Sequence, residues 1–275
     1  WNTYSFFITY ANLDGFDPRN DMVKYEDYTN LDKWIISKMH DLIKEADKAY
    51  SSFKVFQLMK SITKFIDDLS NWYVRRSRRR FWRSENNIDK KAAYSALYQV
   101  LLDLIKVMSP IIPFVSDKIY QNLVIQKGKE ESIHLCDFPK FEKEYYNKEL
   151  MTNIDSVISI VSLGRSARNR ANIKNRQPLQ TVYIYIPKQK NITLDESSRQ
   201  EILEELNIKE IKFINNVEDI LSYKVKPNFV ALKERFDSNM KDVISKLSQI
   251  KDSDKINMLN DGNINLEIDG SAENI

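Results

Sequence analysis

One cysteine among 275 residues, Cys136, excludes an intramolecular disulfide and any zinc site built from several thiolates, and it suits a reducing, cytoplasmic setting. The two histidines, His40 and His134, have no Cys, His or carboxylate at metal-ligand spacing, so both read as structural or surface residues. Five glycines are too few for a phosphate-cradling loop, and none of G-x-x-x-x-G-K-[ST], G-x-G-x-x-G or G-x-S-x-G is present. The sequence holds no apolar run of roughly 18 residues, so no membrane partner is expected. Its start, Trp1-Asn2-Thr3-Tyr4, has neither the basic opening nor the apolar block of a secretory signal. It begins without methionine inside an apolar helical pattern and stops soon after a strand-like run at 264–268, so it reads as a piece of something longer. Asp67-Asp68 is not an acid-base pair, because adjacent helical residues point about 100° apart; a solvated face is expected there.

What is present is a core and an uneven distribution of charge. A composition of 42% hydrophobic and 11% aromatic residues can bury a core, which argues against disorder. The net charge of +3 announces no polyanion partner by itself. Of 13 arginines, however, six lie in 72–83 and four in 165–176, and neither segment contains an Asp or Glu. With Lys174 these segments carry 11 positive charges in 24 residues, so the remaining 251 residues sum to −8. An acidic body bearing two basic elements suits a polyanion-binding surface.

Apolar residues recur at helical spacing over most of the chain. A first helix, 1–12, is stopped by Asp14-Gly15 and Pro18. A second starts at the capping pattern Thr29-x-x-Asp32 and places Leu31, Trp34, Ile35, Leu42, Ile43, Ala46 and Ala49 on one side. A third spans about 53–83, a fourth about 89–108, a short fifth opens at Pro113, and a sixth covers 145–171. These six predict a mainly α protein with an up-and-down bundle over 1–178. From Gln177-Pro178 the period changes, and 179–275 predicts a small α+β domain. Its expected elements are strands at 181–186 and 211–214, a helix at 197–206, a further strand at 221–225, a helix at 236–250 and a hairpin folded about 260–262.

The segment 71–83, Asn-Trp-Tyr-Val-Arg-Arg-Ser-Arg-Arg-Arg-Phe-Trp-Arg, carries the strongest signal. On a helical wheel Arg76 and Arg80 continue the stripe of Ile62, Leu69 and Tyr73, which is therefore expected to leave the core, while Arg75 and Arg78 cover the other side. Arginines complement the macrodipole at a helix carboxyl end, but that explains two or three of them and not six with no acid among them. Trp72, Phe81 and Trp82 are interleaved with the arginines, and such a mixture takes phosphates and stacks unpaired bases. Trp72 is expected in the core. Arg75, Arg76, Arg79, Arg80, Trp82 and Arg83 are thus candidate RNA-binding residues, and Arg165, Arg168, Arg170, Lys174 and Arg176 form a second set suited to phosphates.

Several blocks carry a family resemblance. They are 1–16 (Trp-Asn-Thr-Tyr-Ser-Phe-Phe-Ile-Thr-Tyr-Ala-Asn-Leu-Asp-Gly-Phe), Leu31-Asp32-Lys33-Trp34-Ile35, 67–82, Met108-Ser109-Pro110-Ile111-Ile112-Pro113-Phe114, Ser132-Ile133-His134-Leu135, Leu163-Gly164-Arg165-Ser166-Ala167-Arg168 and Arg176-Gln177-Pro178-Leu179. In this order they resemble the isoleucyl-tRNA synthetase family just after its catalytic domain, specifically over 1–180 and more thinly beyond.

The resemblance implies a class I anticodon-binding bundle followed by a family-specific α+β domain, with tRNA(Ile) and the catalytic domain of the same polypeptide as partners, in a monomer. The HIGH and KMSKS signatures occur nowhere, so this piece is expected to be non-catalytic and without a cofactor, ATP and Mg serving the full-length enzyme. Cys136 alone departs from the branch that carries a cysteine zinc site. By position, Asn2, Phe6 and Tyr10, at i, i+4 and i+8, match a base-reading helix face, although Phe6 and Tyr10 suit a bundle core equally. The second basic segment matches a phosphate contact or a surface packed on the catalytic domain. A freestanding helical RNA-binding or scaffold module is the alternative reading.

Overall fold

The structure, a computed structural model, describes residues 1–82, 87–124, 130–186, 194–214, 228, 232, 240–250, 254–255, 265–268 and 271–274. They fall into two compact units, one of residues 1–178 with 192–207, the other of 179–191 with 208–275.

The first unit is the helical bundle. α1 (Asn2–Asp14) ends at Gly15, whose φ of 67° lies in the left-handed region that glycine enters without steric cost and whose N–H returns to Ala11. α2 (Asn30–Ser51) opens with the expected capping box: Asp32 N–H donates to the Thr29 hydroxyl, and Thr29 N–H donates to the Asp32 carboxylate. α3 (Val55–Asp67) runs through a π-helical turn, Asp68–Val74, into α4 (Arg75–Trp82). The wider π turn buries Trp72, Tyr73 and Val74 in succession, which a 3.6-residue turn does not allow on one face. α5 (Ile88–Met108) packs on α2 and buries Ala92, Ala93 and Ala96 completely. α6 (Pro113–Leu123) and α7 (Lys148–Arg170) follow, α7 packing on α2.

α8 (Glu196–Leu206), which the sequence groups with the carboxyl-terminal strands, packs on α7 within this first unit. Gly164 makes that approach possible: a Cβ there meets the buried Leu206 side chain at 2.6 Å.

The second unit holds a parallel pair, β1 (Leu179–Tyr185) with β2 (Ile208–Ile214), in register from Leu179 opposite Ile208 to Tyr185 opposite Ile214. It also contains α9 (Met240–Gln249), which buries Val243 and Leu247, and an antiparallel pair of β3 (Asn265–Ile268) with β4 (Ser271–Asn274). The hairpin expected about 260–262 lies outside the described residues; the described antiparallel pair joins 265–268 with 271–274. Residues 221–225, expected as a strand, lie outside the described residues. The architecture is mainly α, a bundle with a small α+β part.

Candidate nucleic-acid interface

The arginine stripe of α4 does not leave the core. Arg80 forms a two-pronged ion pair with Asp32, Nη1 to Oδ1 at 2.7 Å and Nη2 to Oδ2 at 2.8 Å, and also donates to the Asp89 carbonyl oxygen. Its Nε lies 2.8 Å from the Asp89 carboxylate. Asp32 is 0% exposed and further accepts from the Tyr73 hydroxyl at 2.7 Å and the Thr29 hydroxyl at 2.7 Å. Burial and the adjacent Asp32 charge push the Tyr73 phenol well above its ordinary range, so it stays a donor. Burial pulls the Arg80 guanidinium down, but the hydrogen bonds and charge of Asp32 outweigh it and keep it charged. Arg80 is therefore corrected from an outward RNA contact to a buried tie between α4 and the start of α2.

Arg75 and Arg76 converge on Glu205 with Arg165 of the second basic segment. Arg75 Nη2 donates to Glu205 Oε2 at 2.8 Å and Arg76 Nη1 to Glu205 Oε1 at 3.2 Å, while Arg165 of α7 donates to the same Oε2. Arg76 also lies 3.6 Å from Glu201 and 3.5 Å from Glu204. The Glu205 side chain is 6% exposed. Its burial raises the carboxyl pKa, but the Arg75 hydrogen bond and the charges of Arg75, Arg165 and Arg76 outweigh this and hold it below the usual range. Arg75, Arg76, Arg79, Arg165 and Arg176 line one open groove with Asn175, Asn207, Glu204 and Glu205. Arg79, Arg170, Lys174 and Arg176 are exposed, and their side chains make no ion pair or hydrogen bond with a described residue.

Arg168 also moves out of the expected set. It is 3% exposed and its guanidinium donates to the carbonyls of Leu206 and Asn207, at the end of α8, and to those of Lys174 and Gln177. It satisfies carbonyls that the end of α8 leaves unpaired, and its charge complements the helix dipole there.

The aromatic residues of α1 and α4 come together as one edge. Phe6 sits edge-on to Phe81 with centroids 5.1 Å apart and lies 4.8 Å from Tyr10. Trp82 Nε1 donates to the Tyr10 hydroxyl at 2.8 Å, yet Trp82 remains 58% exposed. Phe81, paired with Trp82 in the sequence reading, is buried against Tyr94, and Trp72 is buried as expected. Phe6 and Tyr10 are half-buried, Tyr10 accepting from Trp82 and Phe6 packing on Tyr10 and Phe81. Asn2 is exposed at the start of α1, and Arg83 lies outside the described residues.

The remaining titratable candidates are structural in their contacts. His40 is buried and accepts Glu142 N–H at Nδ1, and burial lowers its pKa; His134 is exposed in a short 3₁₀ turn. Asp68, expected on a solvated face, is buried and pairs with Lys38 at 3.0 Å, while Lys38 also reaches Asp155 at 3.1 Å. Cys136 lies 3.3 Å from the Tyr120 hydroxyl. Among the described residues no three His, Cys, Asp or Glu side chains cluster for a metal, and no helix is long and apolar enough to cross a membrane.

Sequence reasoning missed Glu205, Glu201 and Asp32 as partners of the arginines. Asp32 is visible locally only as a cap, and nothing local marks Glu205, which lies 130, 129 and 40 residues from Arg75, Arg76 and Arg165.

Residues 32–184 match the family of the anticodon-binding domain of tRNA ligase. Isoleucine–tRNA ligase of Clostridium tetani is 40% identical over 289 residues, covering 100% of this chain and 27% of that protein. The enzyme of Clostridium novyi is 39% identical over 283 residues, covering 100% of the chain and 26% of the relative. That of Bacteroides thetaiotaomicron is 36% identical over 274 residues, covering 98% and 24%. The chain spans about a quarter of the length of these relatives. With the exposed tryptophan and the arginine groove in the helical bundle, and the match covering more than half of the chain, the chain belongs to the anticodon-binding domain family of the tRNA ligases.

Proposed function

We propose that this chain recognises the anticodon of tRNA(Ile) and positions that tRNA within a longer, monomeric and cytoplasmic isoleucine–tRNA ligase. The catalytic part of the polypeptide, served by ATP and Mg, joins isoleucine to the tRNA; the 275-residue chain alone does not. The observation that carries the reading is an exposed Trp82, hydrogen-bonded to Tyr10, at the end of the helix that also supplies three of the five arginines lining one groove of the bundle. An unpaired base stacks on the Trp82 indole, an interaction worth about 1–3 kcal/mol. Asn2 offers an amide donor and acceptor for a base edge, as discrimination among bases requires. Arg79, Arg170, Lys174 and Arg176 take phosphates, which sets register without identifying sequence. Arg80 and Arg168 have no part in this set, because their guanidiniums are committed within the protein.

Titrating matched and anticodon-altered tRNA(Ile) transcripts against the chain tests the proposal. Tighter binding of the matched transcript supports it. Equal affinity for both, or isoleucine-dependent pyrophosphate exchange by the chain alone, refutes it.

A further inference from the structure

We infer that Glu205 is a positioning residue that gathers Arg75, Arg76 and Arg165 into one pre-organised phosphate-binding groove, completed by Arg79 and Arg176. The inference rests on the RNA binding proposed above. Three guanidiniums from two helices converge on one carboxylate whose side chain is 6% exposed. Both Glu205 oxygens are occupied, Oε1 by Arg76 and Oε2 by Arg75 and Arg165, so the carboxylate orients cations and is too enclosed to meet RNA itself. A guanidinium has five N–H donors, and pairing with a carboxylate uses one or two, so each arginine keeps donors for a phosphate. The groove lining sets five arginines against Glu204 and Glu205, leaving an excess of positive charge. Without the central carboxylate, three like charges repel and the long side chains regain their rotamer freedom.

Glu204 supplies an internal control. It has the same charge on the same helix and lies at the same groove, but its side chain is 53% exposed, accepts from Gln200 at 3.2 Å and pairs with one described arginine, Arg76, at 3.5 Å. Glu204 weakens the local field; Glu205 builds the site. The two roles differ in sign. Removing a negative charge that merely opposes a polyanion tightens binding, whereas removing one that aligns the receptor weakens it.

The test measures affinity of the 275-residue chain, Glu204→Gln and Glu205→Gln for a tRNA(Ile) transcript and its anticodon-altered form at four salt concentrations, with thermal melts of each protein. Glu204→Gln is expected to bind both transcripts more tightly, and weaker binding of this variant with a normal melt overturns the contrast between the two acids. Glu205→Gln is expected to bind both transcripts about tenfold more weakly, the worth of roughly one charge-assisted hydrogen bond to phosphate. Its salt slope falls by roughly 0.7–0.9 for each phosphate that is no longer neutralised. The ratio between the two transcripts stays unchanged, as loss of a phosphate contact requires, and a melt above the assay temperature separates this from a general loss of fold, which weakens both transcripts equally. Affinity of Glu205→Gln equal to or above that of the unaltered chain, with a normal melt, overturns the inference and makes α8 a competitor of RNA. If Glu205→Gln melts below the assay temperature, Glu205→Asp replaces it: the charge stays but the reach is one methylene shorter, and binding as tight as the unaltered chain overturns the inference. An unaltered chain that binds neither transcript refutes the proposed function itself, and this inference with it.

Discussion

Replacing Asp32 with asparagine removes the carboxylate on which Arg80, Tyr73 and Thr29 converge. The Arg80 side chain is 11% exposed, so the change strands a largely buried cation whose remaining carboxylate partner, Asp89, is itself partly exposed. The new amide nitrogen also faces donors on at least one side, because both Asp32 oxygens accept in the unaltered protein. Breaking a buried pair from one side costs about 3–5 kcal/mol, and the residual Asp89 pairing places the expected loss near ~3 kcal/mol. At roughly 2–4 °C per kcal/mol for a unit of this size, the bundle's melting temperature falls by about 6–12 °C. Arg80→Met is milder, because Asp32 keeps the Tyr73 and Thr29 donors and the positive end of α2. Urea and thermal unfolding of both single variants and the double variant, followed by circular dichroism, give the coupling directly. The double variant is expected to be less destabilised than the sum of the two. If Asp32→Asn unfolds within about 0.5 kcal/mol of the unaltered chain, or Arg80→Met keeps its melt while selectively losing tRNA affinity, Arg80 belongs to the RNA face.

Trp82→Ala is expected to lose about 1–3 kcal/mol of affinity for matched tRNA with little change in melting, since the ring is 58% exposed; a large drop in stability makes it a core residue instead. Neutralising Arg170 and Arg176 together weakens matched and anticodon-altered transcripts by similar factors and flattens the salt dependence; an unchanged slope removes both from the interface. On α5, burial raises the Asp103 pKa to about 6 from 3.8, Lys106 opposing and Glu142 adding to it. The fold thus holds this proton more tightly than the unfolded chain does. The stabilisation is complete below pH ~4 and lost as pH rises through about 6, so Asp103→Asn is expected to gain about 1–2 kcal/mol at pH 7 and to flatten the stability profile between pH 4 and 6.5. Parallel profiles for the two proteins refute this.

Local patterns were enough to read much of the protein. Helical periodicity, the Thr29-x-x-Asp32 cap, the stop at Gly15 and the change of period after Pro178 mark the bundle and the start of the α+β part, because these signals act within a few residues along the chain. The acid-free segments 72–83 and 165–176 identify two basic elements for the same reason. Which arginines remain available was not legible. Arg80 is buried against an acid 48 residues away and Arg75 is oriented by one 130 residues away, and local charge counting does not reach so far. Nor did adjacency separate Phe81 from Trp82: one step around the helix turns the first into the core against Tyr94 and leaves the second at the surface beside Tyr10. The sequence determined where helices and positive charge lie. Only the tertiary structure decided which charges are spent inside the fold and which face outward, because ion pairing and burial depend on distances in space between residues far apart in the chain.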